Sequence, residues 1–182
     1  IALPGMHNVE NYMAAFAAVR GLVSAETMDA VARSFHGVEH RIERIRVRRG
    51  VRWYNDSIAS SPSRTIAGLR SFTEKVILIA GGKDKGISYD AIGPEINEHV
   101  KYLILCGATA GVIRESVQKA ANYAGLPIRE VQDYHEAVAL ADEVSGEGDV
   151  VILSPASTSF DRFANFMERG RVFKDIVNAL PD

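Results

Sequence analysis

The chain has 182 residues, of which 47% are hydrophobic and 24% charged, a composition typical of soluble globular proteins. Its 21 basic and 23 acidic side chains give a net charge of −2, which argues against a general nucleic-acid binder with a basic surface. The single cysteine, Cys106, excludes an internal disulfide framework and a cysteine-based zinc site, and it suits a reducing cytoplasm. The longest apolar run, Tyr12–Val19, has eight residues, whereas a membrane-spanning helix needs roughly 20.

The first 37 residues show the pattern of two helices. Apolar residues recur at helical spacing from about Asn8 to Arg20 and again from about Ala25 to Phe35. Ser24 is expected to cap the second helix and Gly37 to end it. Because the chain opens with Ile1 and shows neither an initiator Met nor a signal segment, we expect it to be a piece of a longer polypeptide.

The pattern changes from residue 38 to that of a doubly wound α/β domain. A hairpin that turns at Gly50 is followed by alternating strands and helices. Strands are predicted at about 51–55, 75–80, 101–106, 127–131 and 149–153, and helices at about 62–72, 88–98, 109–123, 134–144 and 161–178. Continuously apolar strands such as Val76–Ala80 predict a parallel sheet that is covered by helices on both faces.

Three predicted loops leave the carboxyl ends of strands, where open parallel sheets bind ligands. They are Asn55–Pro62, Gly81–Gly86 and Ser154–Asp161. Their hydroxyl groups, lysines and backbone amides beside helix starts favour one site for an anionic ligand. Each loop taken alone is more typical of a helix cap or a turn than of a binding site. The glycine-rich loop lacks the spacing of a phosphate-binding P-loop, and no such motif occurs in the chain.

Two further patterns suggest other functions. The run His36-Gly37-Val38-Glu39-His40 matches the His-x-x-Glu-His pattern of inverted zinc peptidases, but a glycine at a helix end would separate the two histidines, so no metal site is predicted. A strip of arginines in the hairpin is interpreted as the solvated face of an edge strand rather than as a nucleic-acid-binding ribbon. The strip comprises Arg41, Arg44, Arg46, Arg48, Arg49 and Arg52.

Five groups of residues, in this order and spacing, resemble the Mur ligases, and within them the branch that adds D-glutamate. The resemblance covers essentially the whole chain. The groups are Gly5-Met6-His7-Asn8-Val9-Glu10-Asn11, Phe35-His36-Gly37-Val38-Glu39-His40-Arg41-Ile42-Glu43, Asn55-Asp56-Ser57, Gly81-Gly82-x-x-Lys85-Gly86, and a last stretch with Leu153-Ser154-Pro155-Ala156, Ser159-Phe160-Asp161, Phe163, Asn165-Phe166 and Arg169-Gly170.

The resemblance implies a three-domain cytoplasmic enzyme of peptidoglycan synthesis. Residues 1–37 would be the last helices of its central ATP-binding domain, and residues 38–182 its Rossmann-like C-terminal domain. The family uses ATP and Mg²⁺ to phosphorylate the alanyl carboxylate of UDP-N-acetylmuramoyl-L-alanine, and the amine of D-glutamate then attacks the acyl phosphate. The Mg²⁺ ligands and the P-loop would lie in the missing part, so the chain alone is expected to be inactive. Its expected partners are its own N-terminal and central domains, with no nucleic acid and no membrane.

The resemblance also implies roles for individual residues. Asn11 resembles an asparagine on the adenine side of ATP, Arg41 an arginine that reaches the phosphates, and Asp56 an aspartate that binds the ribose. Arg41 and Lys85 are the catalytic candidates. The expected cradle for the D-glutamate carboxylate consists of Ser60, Lys85, Ser159, the backbone next to Phe160, and Phe166.

Two residues depart from the family pattern. Ile58 stands where the family usually has a lysine, and Lys83 stands where an acidic residue is common. Either the positive charge of the usual lysine is lost from this loop, or Lys83 supplies it.

Alternatives stay open at the level of single residues and of function. Asn11 could simply pack in a helix, Arg41 could pair with a neighbouring glutamate, and the phenylalanines at 160, 163 and 166 could form the core face of the last helix. Two other functions also remain possible: a related amino-acid ligase such as folylpolyglutamate synthetase, and a non-catalytic nucleotide-binding α/β module.

Overall fold

The computed structural model of the protein describes residues 6–35 and 37–181. The chain divides into two compact units, one that ends at Val38 and one that begins at Glu39. Within the described residues, no helix is both long and apolar enough to cross a lipid bilayer.

The N-terminal unit contains two helices, α1 (Met6–Ala18) and α2 (Ala25–Ser34). The predicted cap of α2 is confirmed, because the Ser24 hydroxyl accepts a hydrogen bond from the Thr27 amide at 3.3 Å. The ring of Tyr12 lies 5.5 Å from that of Phe16 and 6.5 Å from that of Phe35. Ala32 is the only buried apolar residue among those described in this unit. Its exposed large apolar side chains are Met6, Val9, Met13, Leu22, Val23, Val31, Phe35 and Val38.

The second unit is a six-stranded sheet with helices on both faces, which confirms the predicted mostly parallel α/β fold. The strand order is β1-β2-β6-β3-β4-β5, and only β1 runs antiparallel to its neighbour. The strands are β1 (Glu43–Arg48), β2 (Val51–Asn55), β3 (Val76–Ala80), β4 (Val100–Cys106), β5 (Ile128–Val131) and β6 (Val150–Leu153). The helices are α3 (Pro62–Leu69), α4 (Ile92–His99), α5 (Ala110–Lys119), α6 (Tyr134–Val144) and α7 (Phe166–Asn178).

Each face of the sheet has its own apolar core. Successive side chains of a strand point to opposite faces, so Leu78 packs with Ile92 and Ile113 on one side, while Ile77 packs with Trp53 and Phe173 on the other. Every residue of β3 and β6 is buried, as expected for central strands covered on both faces.

The strand positions are correct to about one residue, but four predicted helices are too long. The predicted α3 extends to residue 72, whereas the helix ends at Leu69. The predicted α7 begins at residue 161, whereas the helix begins at Phe166 because Asn165 caps it by accepting a hydrogen bond from the Glu168 amide at 2.9 Å. The predicted α4 begins four residues too early, and the predicted α5 ends four residues too late. Phe160 therefore lies outside α7 and is 63% exposed, so the interpretation of Phe160 as helix core is wrong.

The interpretation of the arginine strip as a solvated face is wrong for two of its members. The guanidinium of Arg46 donates to the carbonyls of Val177, Asn178 and Leu180 at 3.0–3.1 Å. Arg48 is buried and contacts Asp142 and the Pro181 carbonyl, whereas Val47 is 57% exposed. The last carbonyls of a helix lack partners within the helix and carry partial negative charge, so they attract Arg46 to the end of α7. Arg48 is instead held by the carboxylate of Asp142 in α6.

We expect Arg46→Ala to lower the free energy of unfolding by about 1–2 kcal/mol, because it removes the guanidinium that donates to three carbonyls at and just beyond the end of α7. Arg44 lies on the same strand and is exposed, which makes Arg44→Ala a matched control with an expected change within about 0.5 kcal/mol. Urea unfolding followed by circular dichroism measures both changes. Equal effects of the two substitutions would contradict this account of the helix end.

Candidate functional site

The order of the sheet brings four loops to one edge. Strands β2, β6, β3 and β4 are neighbours and run parallel, so their carboxyl ends lie side by side. The loops that follow these strands are the β2–α3 loop (56–61), the β6–α7 loop (154–165), the β3–α4 loop (81–91) and the β4–α5 loop (107–109). The edge is where open α/β sheets bind their ligands.

The β3–α4 loop is joined to the β6–α7 loop through the backbone. The amides of Lys83 and Thr158 each donate to the other residue's carbonyl, at 2.9 and 3.1 Å, and the Gly81 amide donates to the Pro155 carbonyl at 2.8 Å. A side chain at Gly82 would place its Cβ 2.3 Å from the Thr158 carbonyl oxygen. The close pairing of the two loops therefore requires glycine at this position.

Buried hydroxyl groups connect the β4–α5 loop to the same pair. Thr109 accepts from the Gly82 amide at 3.1 Å, and its own amide donates to the Gly82 carbonyl at 3.0 Å. The Ser157 hydroxyl lies 2.7 Å from the Thr109 hydroxyl and 2.9 Å from that of Tyr89. Three loops thus share one network of hydrogen bonds.

Asp56 anchors the β2–α3 loop and is only 4% exposed. Its carboxylate accepts hydrogen bonds from the Ser154 hydroxyl at 2.7 Å and from the Ile42 amide at 3.3 Å. Burial raises the pKa of Asp56 to about 7, although these hydrogen bonds and the charges of Arg41 and Arg64 act in the opposite direction. The carboxyl group therefore titrates near neutral pH.

A strained turn presents Arg41 next to Asp56. The residues on either side of Arg41 have left-handed backbones, with φ of 68° at His40 and 44° at Ile42, which is costly for a β-branched side chain. The His40 amide donates to Glu43 at 2.9 Å, and the Ile58 amide donates to the His40 carbonyl at 3.2 Å. Arg41 itself is exposed. Strain that the surroundings hold in place is typical of functional sites.

The buried ring of His40 anchors this turn to the rest of the domain. It is buried, it lies 2.9 Å from the Asn55 side-chain amide through Nδ1, and its centroid lies 6.0 Å from that of Phe166 in an edge-on arrangement. Burial lowers the pKa of His40, which favours the neutral ring. A Cβ at Gly170 would lie 2.2 Å from His40 Nδ1, so this ring position depends on a glycine in α7.

The structure places most of the predicted site residues on these loops. Asp56 and half-buried Ser60 lie on the β2–α3 loop, exposed Lys85 on the β3–α4 loop, and buried Ser159 with exposed Phe160 on the β6–α7 loop. Half-buried Phe166 is the first residue of α7. Asn11 is an exposed residue of α1 and belongs to the N-terminal unit.

The structure also places Ile58 and Lys83, the two residues that depart from the family pattern. Ile58 is half-buried, and its carbonyl accepts a hydrogen bond from the Arg64 guanidinium at 3.3 Å. Arg64 therefore brings a positive charge to the loop in which the usual lysine is replaced. Lys83 has an exposed side chain, and its backbone pairs with Thr158.

Sequence reasoning gave no role to Arg169, which is 1% exposed and donates to both the β2–α3 and the β6–α7 loops. A signal for it is present in the sequence. Arg169 precedes Phe173 and Val177 at intervals of four, so it continues a buried stripe of α7 in which a charge needs an explanation.

One group of side chains has the composition of a metal site. Ligand atoms of Glu39, His40 and Glu43 lie within 4.8 Å of one another. Lys174 donates to Glu39 at 3.0 Å and to Glu43 at 2.5 Å, so an ammonium group already lies against both carboxylates. His36 of the predicted His-x-x-Glu-His pattern lies outside the described residues. The helix α2 ends at Ser34, so this pattern does not continue a helix.

The fold is an α/β domain with a candidate ligand-binding edge at the carboxyl ends of a parallel sheet. Residues 40–157 match the family model described as Mur ligase, glutamate ligase domain. The chain belongs to this family.

Curated relatives resemble the chain along nearly its whole length. Proteins named UDP-N-acetylmuramoylalanine–D-glutamate ligase from Acetivibrio thermocellus and Ruminiclostridium cellulolyticum are 55% and 54% identical to it over 99% of the chain. A protein of the same name from Clostridium beijerinckii is 52% identical. The chain spans about 40% of the length of these relatives.

Solved structures share the fold at low sequence identity. A folylpolyglutamate synthase from Mycobacterium tuberculosis complexed with ADP has a TM-score of 0.69 at 15% identity, covering 99% of this chain and 42% of that one. A murein peptide ligase from Psychrobacter arcticus has a TM-score of 0.59 at 16% identity, covering 99% of this chain and 39% of that one.

The raised pKa of Asp56 has a consequence for stability. The folded state binds this proton more tightly than the unfolded state, so the contribution is full below pH 3.8 and is lost as pH rises through about 7. We expect wild-type protein to lose up to about 4 kcal/mol of unfolding free energy relative to Asp56→Asn between pH 4 and pH 8. Urea unfolding of both proteins across this range measures the difference. Parallel pH profiles would contradict the buried, neutral carboxyl group.

Proposed function

We propose that this chain is the amino-acid-binding part of an ATP-dependent ligase that adds D-glutamate to UDP-N-acetylmuramoyl-L-alanine. The observation that carries the proposal is the 50–55% identity, over 98–99% of the chain, to several ligases whose name states this reaction. The four-loop edge supports it, since hydrogen bonds among the loops prearrange polar groups around one binding position.

D-glutamate is proposed to bind between the β3–α4 and β6–α7 loops. Lys85 supplies a cation for its side-chain carboxylate, and the hydroxyl of Ser159 and the amide beside Phe160 supply hydrogen-bond donors. Ser60 lies on the neighbouring β2–α3 loop, where its hydroxyl is a further hydrogen-bond donor for the substrate. Phe166 lies behind these loops, against the His40 ring.

ATP is proposed to contact Arg41 and Asp56. The proximity of Arg41 to Asp56 supports a shared role, because the Arg41 charge acts on the Asp56 carboxyl. In the reaction, the γ-phosphoryl group moves from ATP to the alanyl carboxylate, the amine of D-glutamate attacks the acyl carbon, and phosphate leaves as the amide forms. An exposed arginine next to the phosphates would stabilise the charge that develops during transfer.

The chain is proposed to span parts of two domains. Residues 1–37 would end the central ATP-binding domain, and residues 38–182 would form the C-terminal domain. The remaining part of the enzyme would supply the P-loop, the Mg²⁺ ligands and the site for the UDP-sugar. The enzyme is proposed to act in the cytoplasm, where both ATP and its nucleotide-linked substrate are found.

The full-length protein tests this function directly. We expect it to release phosphate from ATP when UDP-N-acetylmuramoyl-L-alanine and D-glutamate are both present, and not when L-glutamate replaces D-glutamate. The present chain alone, without the P-loop, is expected to release none. Activity that requires a folate acceptor would instead assign the protein to the folylpolyglutamate synthases, which share its fold.

Replacement of Lys85 tests the amino-acid site. In the full-length enzyme, we expect Lys85→Ala to raise the KM for D-glutamate on the order of 100-fold, since the substrate carboxylate loses its cation, while the KM for the UDP-sugar substrate stays unchanged. Lys119→Ala is the matched control, because Lys119 is an exposed residue of α5 that pairs with Glu115. If Lys85→Ala behaves like Lys119→Ala in steady-state kinetics, the assignment of the β3–α4 loop is wrong.

A further inference from the structure

Arg169 is the most deeply buried charged side chain at the carboxyl edge, and its contacts are unusual. It lies on the first turn of α7 and is 1% exposed. Among the described residues it forms no ion pair within 4.0 Å, although the Asp161 carboxylate acts on it from farther away. Burial lowers the pKa of Arg169, but an arginine remains protonated at neutral pH.

Three hydrogen bonds of its guanidinium go to two serines on different loops. Nε donates to the Ser57 hydroxyl at 3.0 Å, and Nη2 donates to the Ser57 carbonyl at 2.8 Å. Nη1 donates to the Ser157 carbonyl at 3.0 Å. The Ser57 hydroxyl in turn donates to the Phe166 carbonyl at 2.8 Å, which closes the connection onto α7.

A charge buried among neutral acceptors is expensive, and an apolar side chain at this helix position would avoid the cost of desolvation. What arginine supplies is a planar fork whose donors are fixed relative to one another, and lysine lacks this geometry. The fork sets the separation of Ser57 from Ser157. It thereby sets the separation of the β2–α3 loop from the β6–α7 loop.

The same two loops carry residues that are proposed to receive the ligand. Ser60 lies three positions after Ser57, and Ser159 lies two positions after Ser157. The pairing of Lys83 with Thr158 carries the same constraint to the β3–α4 loop and therefore towards Lys85. The guanidinium also lies next to Gly82, because a Cβ at Gly82 would be 3.2 Å from Arg169 Nη1.

We propose that Arg169 is a positioning residue that holds these loops at the spacing required to bind the acidic amino acid, without contacting that substrate itself. The proposal rests on the proposed function and deepens it, because it names the side chain that assembles the amino-acid site.

The test uses the full-length enzyme and three variants. Arg169→Lys keeps the charge but loses the fork, Arg169→Ala leaves room for a small guanidinium ion, and Arg171→Lys is the matched control on an exposed position of the same helix. The measurements are kcat and the KM for D-glutamate and for the UDP-sugar substrate, together with thermal unfolding. The kinetics of Arg169→Ala are repeated with millimolar guanidinium chloride, well below denaturing concentrations.

We expect Arg169→Lys to lower kcat/KM for D-glutamate on the order of 100-fold, mainly through KM, since small displacements of binding groups have effects of this size. The KM for the UDP-sugar substrate and the behaviour of Arg171→Lys should match wild type. Added guanidinium should partly restore the KM for D-glutamate in Arg169→Ala.

A purely structural role gives a different result. It would lower the melting temperature and the active fraction, and so kcat for all substrates, with unchanged KM values and no rescue by guanidinium. That result overturns the proposal.

A second variant keeps the test decisive if Arg169→Ala does not fold. Ser57→Ala then replaces it, because this substitution removes only the hydroxyl partner of Nε. Wild-type KM values for D-glutamate in both Arg169→Lys and Ser57→Ala, measured on folded protein, overturn the proposal too. A wild-type enzyme that does not ligate D-glutamate refutes the proposed function instead.

Discussion

Polar groups that are buried where parallel strands end must be hydrogen-bonded by loops, because neither a helix nor the sheet supplies their partners there. This requirement shapes the carboxyl edge of the domain. The carboxyl group of Asp56 is bonded to Ser154, the hydroxyl of Thr109 to Gly82 and Ser157, and the guanidinium of Arg169 to two loops at once. Loops that share so many bonds hold one another in place before any ligand arrives.

The division between buried and exposed groups at this edge explains how a binding site is built on it. The buried groups are occupied with one another, whereas the cationic side chains of Arg41 and Lys85 are exposed on the same side of the domain. Anionic substrates are proposed to bind these cations, whose loops are held in place by the buried groups. The left-handed residues beside Arg41 add to this, since a strained turn is maintained only when its surroundings determine it.

Local sequence patterns predict the elements of this fold well, and long-range contacts account for the errors. The apolar run of β3 and the cap at Ser24 are local signals, and both elements are where they were predicted. The outward direction assigned to Arg46 and Arg48 was wrong because their partners lie far away in sequence. Arg46 contacts a carbonyl at the end of α7, 131 residues away, and Arg48 contacts Asp142, 94 residues away. The convergence of three loops follows from the parallel sheet. The role of Arg169 cannot be predicted in this way, because it depends on which loops face α7.

The β2–α3, β3–α4 and β6–α7 loops are proposed to act as one site for D-glutamate. Hydrogen–deuterium exchange of the full-length enzyme, saturated with its UDP-sugar substrate and a non-hydrolysable ATP analogue, tests it most directly. Addition of D-glutamate should slow exchange in residues 56–61, 81–91 and 154–165 together, and L-glutamate should not. Protection confined to one of these loops, or equal protection by the two enantiomers, would contradict the account.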